Sequence, residues 1–199
     1  VFVIDSEVSD TEAVVSTIVS DNYDAGVQCA KDMMKKKTSA NIIIVNQKAL
    51  NSINERVKGF RDTIKGHPQY KIVEEKESAA EFEIAMKVME KIIYEKKNYD
   101  VVMGGNDPIA LGCIAAMQMT DKTDQVMVYG VDGSPDGKAM IKAGFLEGTA
   151  AQSPIKIGEK AVQTAYSYLA GETVKKHVTI PVELITADNL KFYDMTGWQ

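Results

Sequence analysis

Asp5, Arg56, Asn106, Asp107 and Asp132 are the polar residues of this sequence whose types and placement can do chemistry together. In open parallel sheets, ligands bind beyond the carboxyl ends of the strands, where side chains from several loops converge. Asp5 follows an apolar run at 1–4, Asn106 and Asp107 follow one at 100–103, and Asp132 follows one at 126–131. Arg56 stands in the first turns of the helical stretch after the run at 41–45. Carboxylate, carboxamide and guanidinium groups are planar and make paired hydrogen bonds, which suits adjacent sugar hydroxyls that each donate and accept. Each residue has a plainer role too. Asp107, directly before Pro108, is expected to cap a helix; Asp132-Gly133 fits a turn, and Arg56 a solvated helix charge. What favours a shared polar cleft is the coincidence of such groups at several strand ends.

Catalysis fits the same residues poorly. The sequence holds no Gly-x-Ser-x-Gly elbow, phosphate-cradling glycine loop, paired Cys/His or His-centred triad. Gly104-Gly105-Asn106-Asp107 is too short and wrongly spaced for a nucleotide fingerprint. Asp5 with Asp132 is a carboxylate pair of the kind glycosidases use, but nothing in the sequence marks either as held protonated. His67 and His177 have no carboxylate or cysteine at ligand spacing, and Cys29 and Cys113 lie in apolar helical stretches as buried thiols. The expectation is a binding protein with no cofactor and no metal, not an enzyme.

Positioning these groups falls to alternating strands and helices, the mark of βαβ units around a parallel sheet. Strands are expected at 1–4, 14–19, 41–45, 71–74, 100–103, 126–131 and 179–185. Ile53, Val57, Phe60 and Ile64 share one helical face, as do Phe82, Met86, Met89 and Ile93, and Ala110, Cys113, Ile114 and Met117. Ser52 and Glu55 have the spacing of a capping box, and Ser134-Pro135 that of a cap and first turn. Lys35-Lys36-Lys37 reads as a solvated helix end. A further helix at 155–170 carries Gly158, Val162, Ala165 and Leu169 on one stripe, with Ile157, Ala161 and Tyr168 beside it.

The chain has 199 residues, 45% hydrophobic, with a formal net charge of −5. That charge argues against a nucleic-acid partner, whose phosphates require a basic stripe. The sequence opens on Val1-Phe2-Val3-Ile4-Asp5, a strand pattern without an initiator methionine, so a chain trimmed at its amino end is expected.

Five motifs in order carry a family resemblance: Ser20-Asp21-Asn22-Tyr23-Asp24-Ala25-Gly26; Glu55-Arg56-Val57-Lys58-Gly59-Phe60; Asn106-Asp107-Pro108-Ile109-Ala110-Leu111-Gly112; Gly130-Val131-Asp132-Gly133-Ser134-Pro135-Asp136-Gly137; and Gln152-Ser153-Pro154 with Ile157-Gly158. Together they resemble ribose-type periplasmic binding proteins of the type I fold. That resemblance implies two lobes closing on a sugar about a three-strand hinge and presenting it to the membrane permease of an ATP-binding-cassette importer. It implies sugar contacts from Asp5, Arg56, Asn106, Asp132 and Gln152; only the resemblance selects Gln152. Ser6 stands where ribose binders carry a second arginine, and Ala80 and Val131 where they carry aromatic rings, which points away from ribose itself.

In the same register, residues 1–19 and 153–178 belong to an amino-terminal lobe that is mostly missing. Residues 20–152 and 179–199 form a complete carboxyl-terminal lobe. A periplasmic or extracellular location follows, with a lipid anchor in a Gram-positive source. Exposed amino-terminal-lobe elements would let copies dimerise. The rival readings are the effector-binding core of a lac-repressor-type regulator, which would need a basic headpiece, and a sugar receptor for a membrane sensor kinase.

Overall fold

Two sheets joined by three chain crossings organise the residues that the computed structural model describes, 1–120 and 126–198. Residues 121–125 and Gln199, both assigned above to the carboxyl-terminal lobe, lie outside the described residues. In chain order the elements are β1 (Phe2–Ile4), β2 (Ser16–Ser20), α1 (Asn22–Lys36), β3 (Ala40–Asn46), α2 (Asn51–Ile64), β4 (Tyr70–Glu77), α3 (Phe82–Tyr94), β5 (Val101–Gly104) and α4 (Asp107–Gln118). There follow β6 (Met127–Asp132), α5 (Pro135–Lys142), β7 (Gly148–Ala151), α6 (Pro154–Leu169), β8 (His177–Ile180), β9 (Glu183–Thr186) and a 3₁₀ turn at Leu190–Phe192. The smaller sheet has the order β1-β2-β8, all parallel; the larger runs β4-β3-β5-β6-β7-β9, parallel except for β9. The chain changes sheet after β2, after β7 and after β8. The expected α/β fold of parallel sheets with flanking helices is the fold observed.

Ile42, Ile43, Ile44 and Val45 of β3 are wholly buried in succession, as in a strand covered on both faces. Helices α1 and α2 pack together on this sheet, as do α3 and α4. Glycines set the closeness of the first pair: a Cβ on Gly26 would lie 1.8 Å from the Arg56 carbonyl oxygen, and one on Gly59 1.9 Å from that of Tyr23. The predicted faces Ile53, Val57, Phe60, Ile64 and Ala110, Cys113, Ile114, Met117 are buried, both cysteines are buried free thiols, and Lys36 closes α1 at the surface.

Several local expectations fail for identifiable reasons. The stretch 179–185 is two strands in different sheets, because the chain crosses at Pro181-Val182. Strand β7, Gly-Thr-Ala-Ala, escapes sequence reading because small residues replace the β-branched run. Helix α2 starts at Asn51 behind Leu50, with no side-chain cap, so Ser52 and Glu55 fall inside it and form no capping box; Asn54 Nδ2 instead ties the helix to the Lys48 carbonyl at 2.8 Å. In α3 the fully buried residues are Ala85, Met89 and Ile92, and Phe82 is exposed. In α6, by contrast, Val162 and Leu169 of the apolar stripe are exposed, as expected of a helix that lacks most of its sheet, while Ile157 and Thr164 are buried.

Candidate ligand-binding site

Arg56, Asp132 and Gln152 meet in one hydrogen-bonded network at the crossings between the sheets. The close approach at Gly26 brings the start of α1 against α2, and there Arg56 Nε donates to Asn22 Oδ1 at 2.8 Å. Arg56 Nη1 donates to the Gly105 carbonyl at 3.0 Å and to Asp132 Oδ1 at 3.4 Å. Gln152 Nε2 donates to the same Asp132 oxygen at 2.8 Å, and Gln152 Oε1 accepts from Ser20 Oγ at 2.8 Å. Asn22 Nδ2 closes the ring on the Ser20 carbonyl at 3.2 Å. Two crossings, β2 to α1 and β7 to α6, are thereby tied through one guanidinium and one carboxylate.

Asp132 ends β6 with φ 143°, a conformation L residues rarely adopt, and Gly133 follows with φ 69° where a Cβ would sit 2.4 Å from that of Ala151. The strain sits where its carboxylate is held by three donors, Arg56, Gln152 and the Asp107 N–H at 3.4 Å. Burial pushes the Asp132 carboxyl up to about 6; Arg56 pulls it back down and Asp107 adds to the rise. A raised carboxyl pKa is what a general acid has. Here both carboxylate oxygens already accept N–H donors, an arrangement that fixes an acceptor and does not deliver a proton.

Asp107 does not cap α4, contrary to expectation. Its carboxylate, fully buried, accepts from Ser134 N at 2.9 Å, Ser134 Oγ at 2.6 Å and Thr149 Oγ1 at 2.6 Å. Burial holds it above the usual carboxylate range against those hydrogen bonds and Arg56. It pins the turn after β6 and strand β7 beneath the network. With Asp107 so engaged, the cap passes to Asn106, whose Oδ1 accepts from Ile109 N at 2.9 Å while Nδ2 reaches the Ala80 carbonyl at 3.4 Å. Asn106 is thus adjacent to the network but not bonded to Arg56, Asp132 or Gln152. Ser134 caps α5 through Gly137 N, as expected.

Asp5 sits at the end of β1 with φ 68°, exposed, its carboxylate accepting from Ser6 Oγ at 3.3 Å. Together with Asp132, Gln152, Pro154, Ile157 and Trp198 it lines a cavity of about 360 Å³. Sequence reasoning passed over Asn22, Ser20 and Trp198. Both of the first two stand in the first family motif, Ser20 as the last residue of β2 and Asn22 as the first of α1; Trp198 lies in a tail with no strand or helix period.

Residues 1–173 match the family described as periplasmic binding protein domain. The chain belongs to the periplasmic binding protein family. This periplasmic binding protein domain is 31% identical over 175 residues to the ribose import binding protein of Salmonella typhimurium, covering 86% of this chain and 58% of that relative. It is 31% identical over 198 residues to the D-apiose import binding protein of Paraburkholderia graminis, covering 98% of this chain and 63% of that relative. An ABC transporter solute binding protein from Bacillus halodurans, solved with bound myo-inositol, superposes with a TM-score of 0.89 at 25% identity over 96% of this chain and 67% of that one. The chain spans 58% to 63% of the length of these two curated relatives.

Proposed function

We propose that this chain forms part of an extracytoplasmic solute-binding protein that holds a sugar or similar polyol between two lobes and delivers it to the permease of an ABC importer. The observation that carries the reading is the Arg56–Asp132–Gln152 network beside a cavity shared with Asp5. The ionised Asp132 keeps a lone-pair site on Oδ2 to accept a hydroxyl hydrogen, Arg56 donates, and Gln152 can do both, which is the complement of a vicinal diol. Asp5 supplies an acceptor from the opposite side and Asn106 a carboxamide at the rim. The relatives are named as import binding proteins, which supports a carrier and not an enzyme and a location outside the cytoplasm; a lipid anchor in a Gram-positive source is part of the same proposal.

In this reading residues 1–19 and 153–178 form one lobe around the smaller sheet, and residues 20–152 and 179–199 the other. The three sheet crossings act as the hinge. Association between copies would use the outward face of α6, where Ile155, Val162, Tyr166 and Leu169 are exposed; sedimentation as a monomer under binding conditions removes that element alone. Calorimetric titration of the complete protein with D-ribose, D-apiose and myo-inositol tests the main claim. One of them should saturate at one molecule per protein and raise the melting temperature. No heat and no thermal shift with all three would contradict the reading.

A further inference from the structure

Trp198 is the sequence's one tryptophan, and it comes from the carboxyl-terminal tail to wall the same cavity as Asp5, Asp132 and Gln152. The tail does not reach there by loose contact. Lys138 on α5 is wholly buried, and its Nζ donates to the carbonyl oxygens of both Asp194 and Gly197. Asp194 in turn accepts from Thr196 N and Thr196 Oγ1, each at 2.9 Å, which folds the segment into a turn. Burying an ammonium is costly unless acceptors surround it, so a lysine in this position ties the tail to the body at a fixed point directly before Trp198. The indole remains 49% exposed, so it is placed at the cavity without being consumed by the core.

The chemistry of the wall is asymmetric. Asp5, Asp132 and Gln152 offer hydrogen-bonding groups, whereas Pro154, Ile157 and Trp198 offer apolar surface. A cyclic polyol has the same asymmetry, with hydroxyls around its edge and a face of C–H bonds. An indole presents a large rigid apolar area that loses little conformational freedom on contact.

We propose that the segment 194–198 is part of the binding site, with Trp198 as the apolar wall for the C–H face of the ligand and Lys138 as the residue that positions it. This rests on the proposed function and adds to it a contact from outside the five motifs.

The test uses the complete protein with D-ribose, D-apiose and myo-inositol as probes. In the parent, the probe that binds should shift or quench Trp198 emission, provided any further tryptophan in the complete protein is first replaced by phenylalanine. Trp198→Ala should weaken that probe by roughly tenfold with an unchanged melting temperature, and Trp198→Phe should recover part of the loss. Lys138→Met should weaken binding about as much and expose Trp198 to acrylamide, and the double variant should be little worse than either single one. Should Lys138→Met fail to fold, the Trp198 pair alone decides. If the parent binds and Trp198→Ala stays within about twofold of it, the tail has no binding role and the functional reading stands. If no probe binds the parent, the functional reading fails and this inference fails with it.

Discussion

In β3 four successive residues, Ile42 to Val45, are wholly buried, whereas in β1 Val3 is buried, Phe2 half-buried and Ile4 exposed. The larger sheet is packed by α1 to α5 around a continuous core; the smaller has β2 buried throughout, but α6 packs on it alone among the described helices, around Ile18, Ile157 and Ile180. The difference bears directly on the site. Arg56 and Asp132 stand on elements of the first kind, which hold a hydrogen-bonding group still without the ligand. Asp5 stands on the second, where fewer contacts resist motion. A cleft with one rigid wall and one yielding wall can fix a ligand's orientation on the first and close with the second.

The sharpest way to break this contrast is in the cores. Phe60→Ala removes a fully buried ring from the larger core and should cost about 3–5 kcal/mol in a urea titration. Ile157→Ala, in the smaller cluster, should instead raise amide exchange in β1, β2 and β8 while leaving β3 and β5 protected. Equal loss of protection in both sheets after Ile157→Ala would mean that they unfold as one unit and that the yielding wall does not exist.

Gly26→Ala comes next. Its Cβ would enter the Arg56 carbonyl, so α1 and α2 must separate, at a cost of about 1–3 kcal/mol, and Asn22 should lose its hold on Arg56 Nε. Destabilisation with unchanged ligand affinity would show that Arg56 does not depend on this helix contact for its placement.

A smaller effect is expected from pH. The folded protein raises the Asp132 carboxyl from 3.8 to about 6, so between those values the folded form binds more protons than the unfolded chain. The contribution of this group is therefore most favourable at low pH, falls as pH rises from 3.8 through 6, and remains a cost above that. Asp132→Asn should remove that slope and leave the unliganded protein more stable than the parent above pH 6, by about 3 kcal/mol at most. The difference between the two stability-against-pH curves is the measurement; parallel curves would show that Asp132 is not held against its ionisation.

The sequence made the layering and the strand-end rule readable because both rest on long-range apolar patterning, which Ile42-Ile43-Ile44-Val45 and the α2 face display without help. Asp5 and Asp132 could be placed at one cleft from the strand ends, and Arg56 by its position after β3. Caps were less readable. Asp107 and Asn106 are neighbours with the same cap preference, and what separates them is the pair Ser134 and Thr149, which only the folded chain brings to Asp107. Strand β7 lacks the composition of a strand and exists because β6 and β9 pair with it on either side. Trp198 was invisible for a related reason: its place depends on Lys138, 60 residues earlier, and on no local period.

The central claim is that the Asp132 carboxylate, fixed by Arg56 and Gln152, accepts a hydroxyl of the ligand. Calorimetric titration of Asp132→Asn at neutral pH in the complete protein tests it most directly, using whichever of D-ribose, D-apiose and myo-inositol binds the parent. The substitution keeps the volume and the fold, so the account predicts an affinity about ten- to a hundredfold weaker with a melting temperature no lower than the parent's. An affinity within about twofold of the parent's would contradict it.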